Sequence, residues 1–251
     1  MKAAGRQIRI RELLESREFV DLETLCRDLD ASESSVRRDL SALESEGVLK
    51  RVYGGAMAVE ARGADQDFEW QSRRMAEEKR RIAAVAASLV EDGQTVILGG
   101  GSTVAAVARS LKNHSLRVIT NSLPIAEVFH DSPRAEVTLT GGYLYPRLRM
   151  MMGPLCEQML AGVAADVLIM GIGGVTEAGF SNNITLEVSH ELKMIAAARK
   201  VVIVADYTKF GRAALINVAP LEVADIVVSD GALGAEYQKL LIEHGVEARL
   251  A

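Results

Sequence analysis

Two adjacent arginines in the stretch ESSVRRDL could bind the phosphates of a nucleic acid or the edges of its bases. The guanidinium groups of Arg37 and Arg38 donate hydrogen bonds to both kinds of acceptor. Serines precede them, and hydroxyls at a helix start can contact phosphates together with the free backbone amides there. The alternative is a solvated helix on which these arginines form ion pairs with Asp39, Glu33 or Glu44.

Three short helices are predicted around the arginines. Apolar residues at helical spacing indicate a first helix over about residues 6–16, and Asp21 is a plausible N-cap of a second helix. Ser32 is expected to cap the third helix, which runs to about Glu46 and ends at Gly47. The apolar stripe of the first helix consists of Ile8, Ile10, Leu13 and Leu14.

The third helix has an apolar face and a polar face. At about 100° per residue, Val36, Leu40 and Leu43 form a stripe that must pack against the other two helices. Arg38 then lies on the opposite side with several serines, and Arg37 lies on the flank. A helix with small hydroxyls and arginines on its outer face suits the major groove of DNA.

A β-wing is predicted directly after this helix, where VLKRVYGGA alternates apolar and basic residues and ends in two glycines. Acidic residues slightly outnumber basic ones in the first 60 positions, and the whole chain has a net charge of −5. We therefore expect modest non-specific affinity for DNA that salt weakens steeply. The residues expected to contact DNA are Asp21, Ser32, Ser34, Ser35, Arg37, Arg38, Ser41, Lys50, Arg51 and Tyr53.

A larger α/β domain is predicted after the wing. We divide the chain into a winged helix-turn-helix domain at residues 3–58, a linker at 59–74 and an α/β domain at 75–251. Six apolar runs alternate with helical patterns in the last region, which indicates a mainly parallel, Rossmann-like sheet with both faces covered. The runs are TVILGGGST, RVITNS, EVTLTGG, DVLIMGIGG, KVVIVAD and DIVVSD.

Each of these runs ends in small or polar residues. The carboxyl ends of parallel strands share one edge of the sheet, and ligands bind in the crevice beyond it. The run GGGST places three glycines and two hydroxyls at a helix start, where free amides and the helix dipole favour anions. TNS at 120–122, TGG at 140–142 and DYTK at 206–209 could add polar and cationic contacts. We therefore expect a small, polar, phosphorylated ligand.

Other interpretations of these residues stay open. Gly171, Gly173 and Gly174 could serve only tight strand–helix turns, and Lys209 could be a solvated loop lysine. Neither GGGST nor GIGG completes the glycine pattern of dinucleotide-binding folds, and the P-loop pattern is absent. No NAD, ATP or other cofactor is expected.

No metal site, membrane span or export signal is predicted. The i,i+3 spacing of Glu187 and His190, with Glu191 adjacent, is weak evidence for a metal. Cys26 and Cys156 are isolated thiols. No apolar run approaches the roughly 20 residues of a membrane span, and the charged N-terminus lacks a signal-peptide core, so we expect a cytoplasmic location.

Two parts of the chain resemble the DeoR family of transcriptional regulators. The stretch LDASESSVRRDLSALESEGVLKRVYGGA is similar to the DNA-binding signature of that family, with conservative departures at Ala31, Ser35 and Val36. Roughly residues 75–249 resemble its effector domain, which the family relates to sugar-phosphate isomerases of the ribose-5-phosphate isomerase type. The matching pieces of that domain are Gly101-Ser102-Thr103, Thr120-Asn121, Gly141-Gly142, Gly153, Gly171, Glu187 with Lys193, and Asp206 through Lys209.

The resemblance implies a phosphorylated sugar or related metabolite as the ligand. By resemblance the Gly-Ser-Thr turn would hold the phosphate, and Asn121 and Lys209 would line the same crevice. The family commonly has aspartate where this chain has Gly99, which counts against retained catalysis. The residues expected to bind the effector are Gly100, Gly101, Ser102, Thr103, Asn121, Ser122, Gly141, Gly142, Gly171, Gly173, Glu187 and Lys209.

The leading hypothesis is a sequence-specific transcription regulator, most simply a repressor of a carbohydrate operon. Its expected partners are double-stranded operator DNA, a small phosphorylated metabolite and further copies of itself, in a homodimer or homotetramer. A second hypothesis is a sugar-phosphate isomerase-like enzyme with Glu187 and Lys209 as the candidate acid and base. A third is a protein–protein module in which the winged helix recognises a partner.

Overall fold

The structure, a computed structural model, contains two compact units. Contacts within the chain separate Met1–Arg74 from Met75–Ala251. A short helix, α4 at Phe68–Arg73, lies in a stretch that was expected to be an irregular connector. The residues that the structure describes are 3–16, 19–45, 49–52, 54–58 and 67–251.

The first unit is a winged helix-turn-helix, which confirms the predicted fold. Three helices pack with a three-stranded antiparallel sheet in which the strands lie in the order β1-β3-β2, and β1 lies between the first two helices in the chain. Gly47, which was expected to end the third helix, lies outside the described residues. The elements are α1 (Ala3–Ser16), β1 (Phe19–Asp21), α2 (Leu22–Leu29), α3 (Glu33–Ser45), β2 (Leu49–Val52) and β3 (Gly55–Ala58).

The core of this unit is built from the predicted stripes, with one exception. Val36, Leu40 and Leu43 of α3 are buried, as are most of the apolar residues of α1. Ile8 was predicted to lie on the α1 stripe, but 56% of it is exposed. Ile8 and Ile10 are two positions apart, which is about 200° around a helix, so both cannot face the same core.

A buried ion pair joins α1 to α3. The Nε atom of Arg6 lies 2.6 Å from a carboxylate oxygen of Asp39, and their side chains are only 15% and 5% exposed. Asp39 was considered as a partner of Arg37 or Arg38, but it points into the unit. The pair therefore fixes the inner face of α3 rather than neutralising its outer face.

The second unit is built on a parallel sheet of seven strands, in the order β15-β14-β12-β9-β4-β5-β6. The six predicted runs form six of these strands, and the seventh, at the C-terminus, was not predicted. The strands are β4 (Thr95–Leu98), β5 (Leu116–Thr120), β6 (Ala135–Leu139), β9 (Ala165–Gly171), β12 (Ala198–Val204), β14 (Ile226–Ser229) and β15 (Glu247–Leu250).

Helices and two small antiparallel sheets complete this unit. None of the described helices combines the length and the apolar character that a membrane span requires. The helices are α5 (Ala76–Ala87), α6 (Ser102–Leu111), α7 (Leu123–Phe129), α8 (Pro154–Leu160), α9 (Thr185–Ala197) and α10 (Ala235–Glu243). The remaining strands, which were not predicted, are β7 (Tyr143–Tyr145), β8 (Met150–Met152), β10 (Gly174–Thr176), β11 (Gly179–Asn182) and β13 (Ile216–Ala219).

The order of the strands places a crevice beside β4. The chain moves from β4 outward through β5 and β6 in one direction, and from β9 through β12 and β14 in the other. In an open parallel sheet the loops at such a reversal point diverge, and ligands bind between them. The turn that follows β4 is GGGST, so the predicted anion site lies at the reversal point.

Loss of the Arg6–Asp39 pair should destabilise the first unit. Arg6→Ala leaves a buried carboxylate without this cation, so we expect the free energy of unfolding to fall by about 3 kcal/mol. The control is Arg9→Ala on the same helix, because the Arg9–Glu12 pair is half exposed and should be worth no more than about 0.5 kcal/mol. Urea denaturation followed by circular dichroism measures both, and equal losses would contradict this role for the pair.

Candidate functional site

The outer face of α3 presents both arginines to solvent. Arg37 and Arg38 are exposed, whereas Val36 and Leu40, their neighbours on the opposite face, are 0% and 3% exposed. The apolar stripe thus holds the helix in one rotation, with the guanidinium groups directed outward. This is the orientation that contact with DNA requires.

The two guanidinium groups have weak partners of their own. Arg37 pairs with Glu33 at 2.7 Å on the exposed surface, which is one of the ion pairs that the solvated-helix alternative expects. Exposed pairs with this spacing are worth only about 0.3–0.5 kcal/mol, so Glu33 is easily displaced by a phosphate. Arg38 donates from Nε to the carbonyl oxygen of Ser34 at 3.3 Å, and it has no ion pair with any described residue.

Three serine hydroxyls cluster at the start of α3. The Oγ atom of Ser32 lies 3.2 Å from that of Ser34 and 3.0 Å from that of Ser35. The carbonyl of Ser32 accepts from the amides of Ser35 and Val36, so the chain enters the helix here. Ser41, which lies about two helical turns after Ser34, is half buried. The hydroxyls and the helix N-terminus together form a surface suited to phosphate.

Two of the expected DNA contacts have structural partners instead. Asp21 caps α2 by accepting from the amide of Thr24 at 2.7 Å, and its hydrogen bonds to Thr24 lower the pKa of this carboxyl. A carboxylate repels phosphate, so Asp21 positions α2 and is a poor candidate for contact. Arg51 is bound to Glu44 at 2.6 Å, which ties the wing to α3. Tyr53 and the side chain of Lys50 lie outside the described part of the chain.

The glycine-rich turn after β4 has the geometry of an anion site. Gly101 has a φ of 115°, a backbone conformation that favours glycine, and α6 begins at the next residue. The first amides of a helix have no partner within it, so they are available to a ligand. Ser102 and Thr103 are each 8% exposed, and their hydroxyls therefore lie at a largely enclosed helix start.

Met150 of β8 packs over this turn. A Cβ atom added at Gly100 would overlap the thioether of Met150, so the glycine allows the β7–β8 hairpin to approach the turn. Gly171, at the end of β9, lies beside the same turn, since an added Cβ would be 3.7 Å from the carbonyl oxygen of Gly100. Apolar periodicity does not predict the hairpin or the position of Met150, because both strands are only three residues long.

Asn121 and Ser122 follow the neighbouring strand and are completely buried. Leu98 of β4 pairs with Thr120 of β5, so Asn121 lies next to the glycine-rich turn. The Nδ2 atom of Asn121 donates to the carbonyl oxygen of Met151 at 3.2 Å and lies 3.2 Å from Nε2 of His190. Neither Oδ1 of Asn121 nor Oγ of Ser122 has a hydrogen-bond partner among the described residues.

The helix α9 adds a buried acidic pair to this edge. Glu187 and Glu191 are 8% and 6% exposed, and Asn182 donates from Nδ2 to Glu191 Oε1 at 2.5 Å. Burial raises the pKa of Glu187 to about 7, and burial together with the nearby Glu187 raises the pKa of Glu191 well above its usual value. Burial lowers the pKa of His190 to about 4, so this imidazole is neutral at pH 7.

Only part of this cluster was anticipated. Glu187 was among the expected effector contacts, but the burial of Glu191 and the contribution of Asn182 were missed. The signal for the pair was present in the sequence, because residues four apart on a helix share a face. The described residues contain no group of three or more His, Cys, Asp and Glu side chains that could hold a metal ion.

The other expected effector residues are spread along the same edge. Gly141 and Gly142 follow β6, and Gly142 has a φ of 113° and no room for a side chain beside the carbonyl of Met152. Gly173 is similarly crowded, since an added Cβ would lie 2.9 Å from Asn182 Oδ1. Close packing thus explains both glycines without a ligand. From the sequence, Gly173 could have either a structural role or a role in ligand binding, and its close packing fits the structural role.

Lys209 follows β12 in a short 3-10 helix, Tyr207–Lys209, that Asp206 caps. It is half buried and has no hydrogen bond or ion pair with another described side chain. Lys193, which the family resemblance also picked out, is exposed. The edge of the sheet thus combines a helix start that has the geometry expected of an anion site after β4 with the half-buried Lys209 after β12.

Comparisons with known proteins match both units. A family model described as a DeoR-like helix-turn-helix domain matches residues 6–62. A second, described as the DeoR C terminal sensor domain, matches residues 74–231. Together they cover most of the chain.

Individual relatives carry the names of repressors. The HTH-type transcriptional repressor GlcR of Bacillus subtilis is 31% identical over 96% of this chain and 94% of its own length. The glycerol-3-phosphate regulon repressor of Escherichia coli is 30% identical over the whole of both chains. Among solved structures, ribose 5-phosphate isomerase A from Methanocaldococcus jannaschii matches 54% of each chain at 19% identity and a TM-score of 0.40.

The buried acidic pair should make stability depend on pH. Because the pKa of Glu187 is raised from 4.5 to about 7 in the folded state, the folded chain binds more protons than the unfolded chain within that window. Stability is therefore lost as the pH rises through it. Glu187→Gln cannot ionise, so its melting temperature relative to the parent should be higher at pH 8 than at pH 5.

Differential scanning calorimetry at the two pH values measures this change. The matched control is Glu177→Gln, which removes an exposed carboxylate from the same unit and should show no such trend. If the melting temperature of Glu187→Gln differs from that of the parent by the same amount at pH 5 and at pH 8, the Glu187 carboxyl does not titrate between these two pH values.

Proposed function

The chain belongs to the DeoR family of transcriptional regulators, and we propose that it represses a carbohydrate operon under the control of a small phosphorylated metabolite. The observation that carries the proposal is the pairing of two surfaces in one chain. One is the exposed arginine and serine face of α3, and the other is the glycine-rich helix start at the reversal point of the sheet. The named relatives, both repressors, support regulation rather than catalysis.

Recognition of the operator rests on the outer face of α3. Arg38 and the hydroxyl of Ser34 are exposed there, and a helix of this kind reads base edges in the major groove. The serines at the helix start would contact the backbone and set the register. One such helix offers limited specificity, so we propose that the protein binds paired half-sites as a homodimer or homotetramer.

Recognition of the metabolite rests on the turn after β4. The amides at the start of α6, with Ser102 and Thr103, would bind the phosphate. Asn121, after the adjacent strand β5, and Lys209, after β12 two strands away on the other side, would contact the remainder of the ligand. A ligand of this kind regulates DNA binding only if it binds the DNA-competent and DNA-incompetent arrangements with different affinities. We place this regulator, with its operator, in the cytoplasm.

An isomerase would need a base and an acid at the substrate. The chain has Gly99 where the family commonly has a carboxylate. Burial raises the pKa of Glu187 to about 7, which suits a general base, so the pKa of Glu187 does not argue against catalysis. The missing carboxylate at position 99 favours a sensor that binds its ligand without turnover.

Removal of the exposed guanidinium should weaken specific binding. Arg38→Ala should lower the affinity for the operator by about 1–3 kcal/mol if this side chain reads a base. Lys50→Ala should weaken binding to all sequences alike, because a phosphate contact carries no sequence information. Fluorescence anisotropy with DNA from upstream of the gene itself, and with a scrambled duplex, separates the two effects.

The charge-matched control is Arg199→Ala, whose side chain is 82% exposed in the second unit and which should bind DNA as the parent does. Unchanged affinities for both Arg38→Ala and Lys50→Ala would contradict the assignment of α3 and the wing to DNA.

Loss of the two hydroxyls after the glycine turn should uncouple DNA binding from the metabolite. The double variant Ser102→Ala, Thr103→Ala should bind the operator normally but fail to respond to a phosphorylated metabolite that stabilises the parent in a thermal-shift screen. Ser110→Ala, at the exposed end of the same helix, is the control and should respond normally. A normal response from the double variant would mean that the phosphate site lies elsewhere.

A further inference from the structure

A buried group of hydrogen-bond acceptors lies next to the proposed phosphate site and has more acceptors than donors. We call it the acceptor cluster and define it as Asn121, Asn182, Glu187 and Glu191. All four side chains are at least nine-tenths buried. Buried polar atoms are normally paired within the protein or by a bound molecule, so each unpaired atom here needs a partner.

The direction of the Asn121 amide is set by its neighbours. The carbonyl of Met151 can only accept, so the atom facing it at 3.2 Å must be the Nδ2 donor. The Oδ1 acceptor therefore lies on the other side of the amide, where no described residue donates to it. This is a fully buried acceptor without a donor, immediately beside the glycine-rich turn.

The acidic pair repeats this imbalance. Glu191 uses Oε1 to accept from Asn182, whereas Oε2 has no donor among the described residues. Glu187 lies one helical turn away on the same face of α9. Neither carboxyl forms an ion pair with a described residue. The neutral imidazole of His190, which contacts Asn121 at 3.2 Å, supplies no compensating charge.

A bound cation with several N–H donors would resolve this imbalance. A primary ammonium carries three donors and one positive charge, and hydrogen bonds between charged groups are stronger than those of a hydroxyl. A hydroxyl could satisfy one or two acceptors, but it carries no charge that would stabilise the ionised form of the two carboxyls, which burial and their mutual repulsion disfavour through their raised pKa values. The donor-rich cation is therefore the better complement of the acceptor cluster.

The acceptor cluster and the glycine-rich turn are close enough to share one small ligand. Asn121 follows β5, and the turn follows β4, which is the adjacent strand about 5 Å away. We propose that the acceptor cluster binds a protonated amine of the effector while the start of α6 binds its phosphate, so that the effector is a phosphorylated amine of the amino-sugar class. The proposal rests on the phosphate site described under the proposed function.

The test compares matched ligands that differ only in an amine and a hydroxyl. The pairs are glucosamine 6-phosphate with glucose 6-phosphate, galactosamine 6-phosphate with galactose 6-phosphate, and 2-aminoethyl phosphate with 2-hydroxyethyl phosphate. Isothermal titration calorimetry with the full-length protein at pH 7 gives each dissociation constant. We expect the amine to bind at least ~10-fold more tightly than its partner in one pair or more.

Variants of the acidic pair locate the preference. In Glu187→Gln, Glu191→Gln both carboxyls become neutral amides of the same shape, and the preference for the amine should fall to about threefold or less. Glu177→Gln, which removes an exposed carboxylate, should keep it. A calorimetric unfolding transition verifies that the double variant is folded. If the double variant does not fold, the comparison of amine and hydroxyl ligands on the parent protein still decides the proposal.

Each outcome separates this proposal from the one on which it rests. Equal binding of amine and hydroxyl phosphates would overturn the amine site and leave the phosphate sensor in place. Absence of binding by every phosphorylated compound would overturn both. A preference for the amine that persists in Glu187→Gln, Glu191→Gln would show that the amine binds outside the acceptor cluster and would overturn the assignment.

Discussion

The burial of one face of α3 is the constraint on which the DNA-binding surface depends. Val36, Leu40 and Leu43 cannot be exposed without losing most of the contact between α3 and the rest of its unit. Their burial leaves the helix a single rotation, and the Arg6–Asp39 pair reinforces it from the inner side. The two arginines are outward because the other face is committed to the core.

A different constraint organises the second unit. The strands of a parallel sheet all end at one edge, and the chain reverses its direction of travel across the sheet at β4. The three segments that follow β4, β5 and β9 therefore lie close together at this edge of the sheet. In this chain the three segments supply free amides, a buried carboxamide and a glycine, and α9 adds two carboxyls. The fold thus places groups that attract an anion next to groups that attract a cation.

The spacing of apolar residues predicted the helices and strands in which one periodicity repeats. It did not predict the contacts between different elements. The helices of the first unit and six of seven sheet strands follow from the spacing of apolar residues. Ile8 was misassigned because helical spacing was applied too loosely over two positions. The hairpin that brings Met150 onto the glycine turn depends on a contact between segments far apart in sequence. The contact of Glu191 with Asn182 is closer in sequence, but it joins a helix to a strand. The periodicity of a single element encodes neither contact.

Directed cleavage of DNA tests whether the outer face of α3 enters the major groove. An iron chelate is attached to a cysteine at the exposed end of the helix, in Ser45→Cys, and the positions at which it cleaves a bound operator duplex are mapped. If α3 enters the groove, cleavage occurs within the major groove of two half-sites separated by about one or more helical turns of DNA. Tight, sequence-specific binding by the labelled protein without cleavage in the major groove of either half-site would contradict this placement of α3.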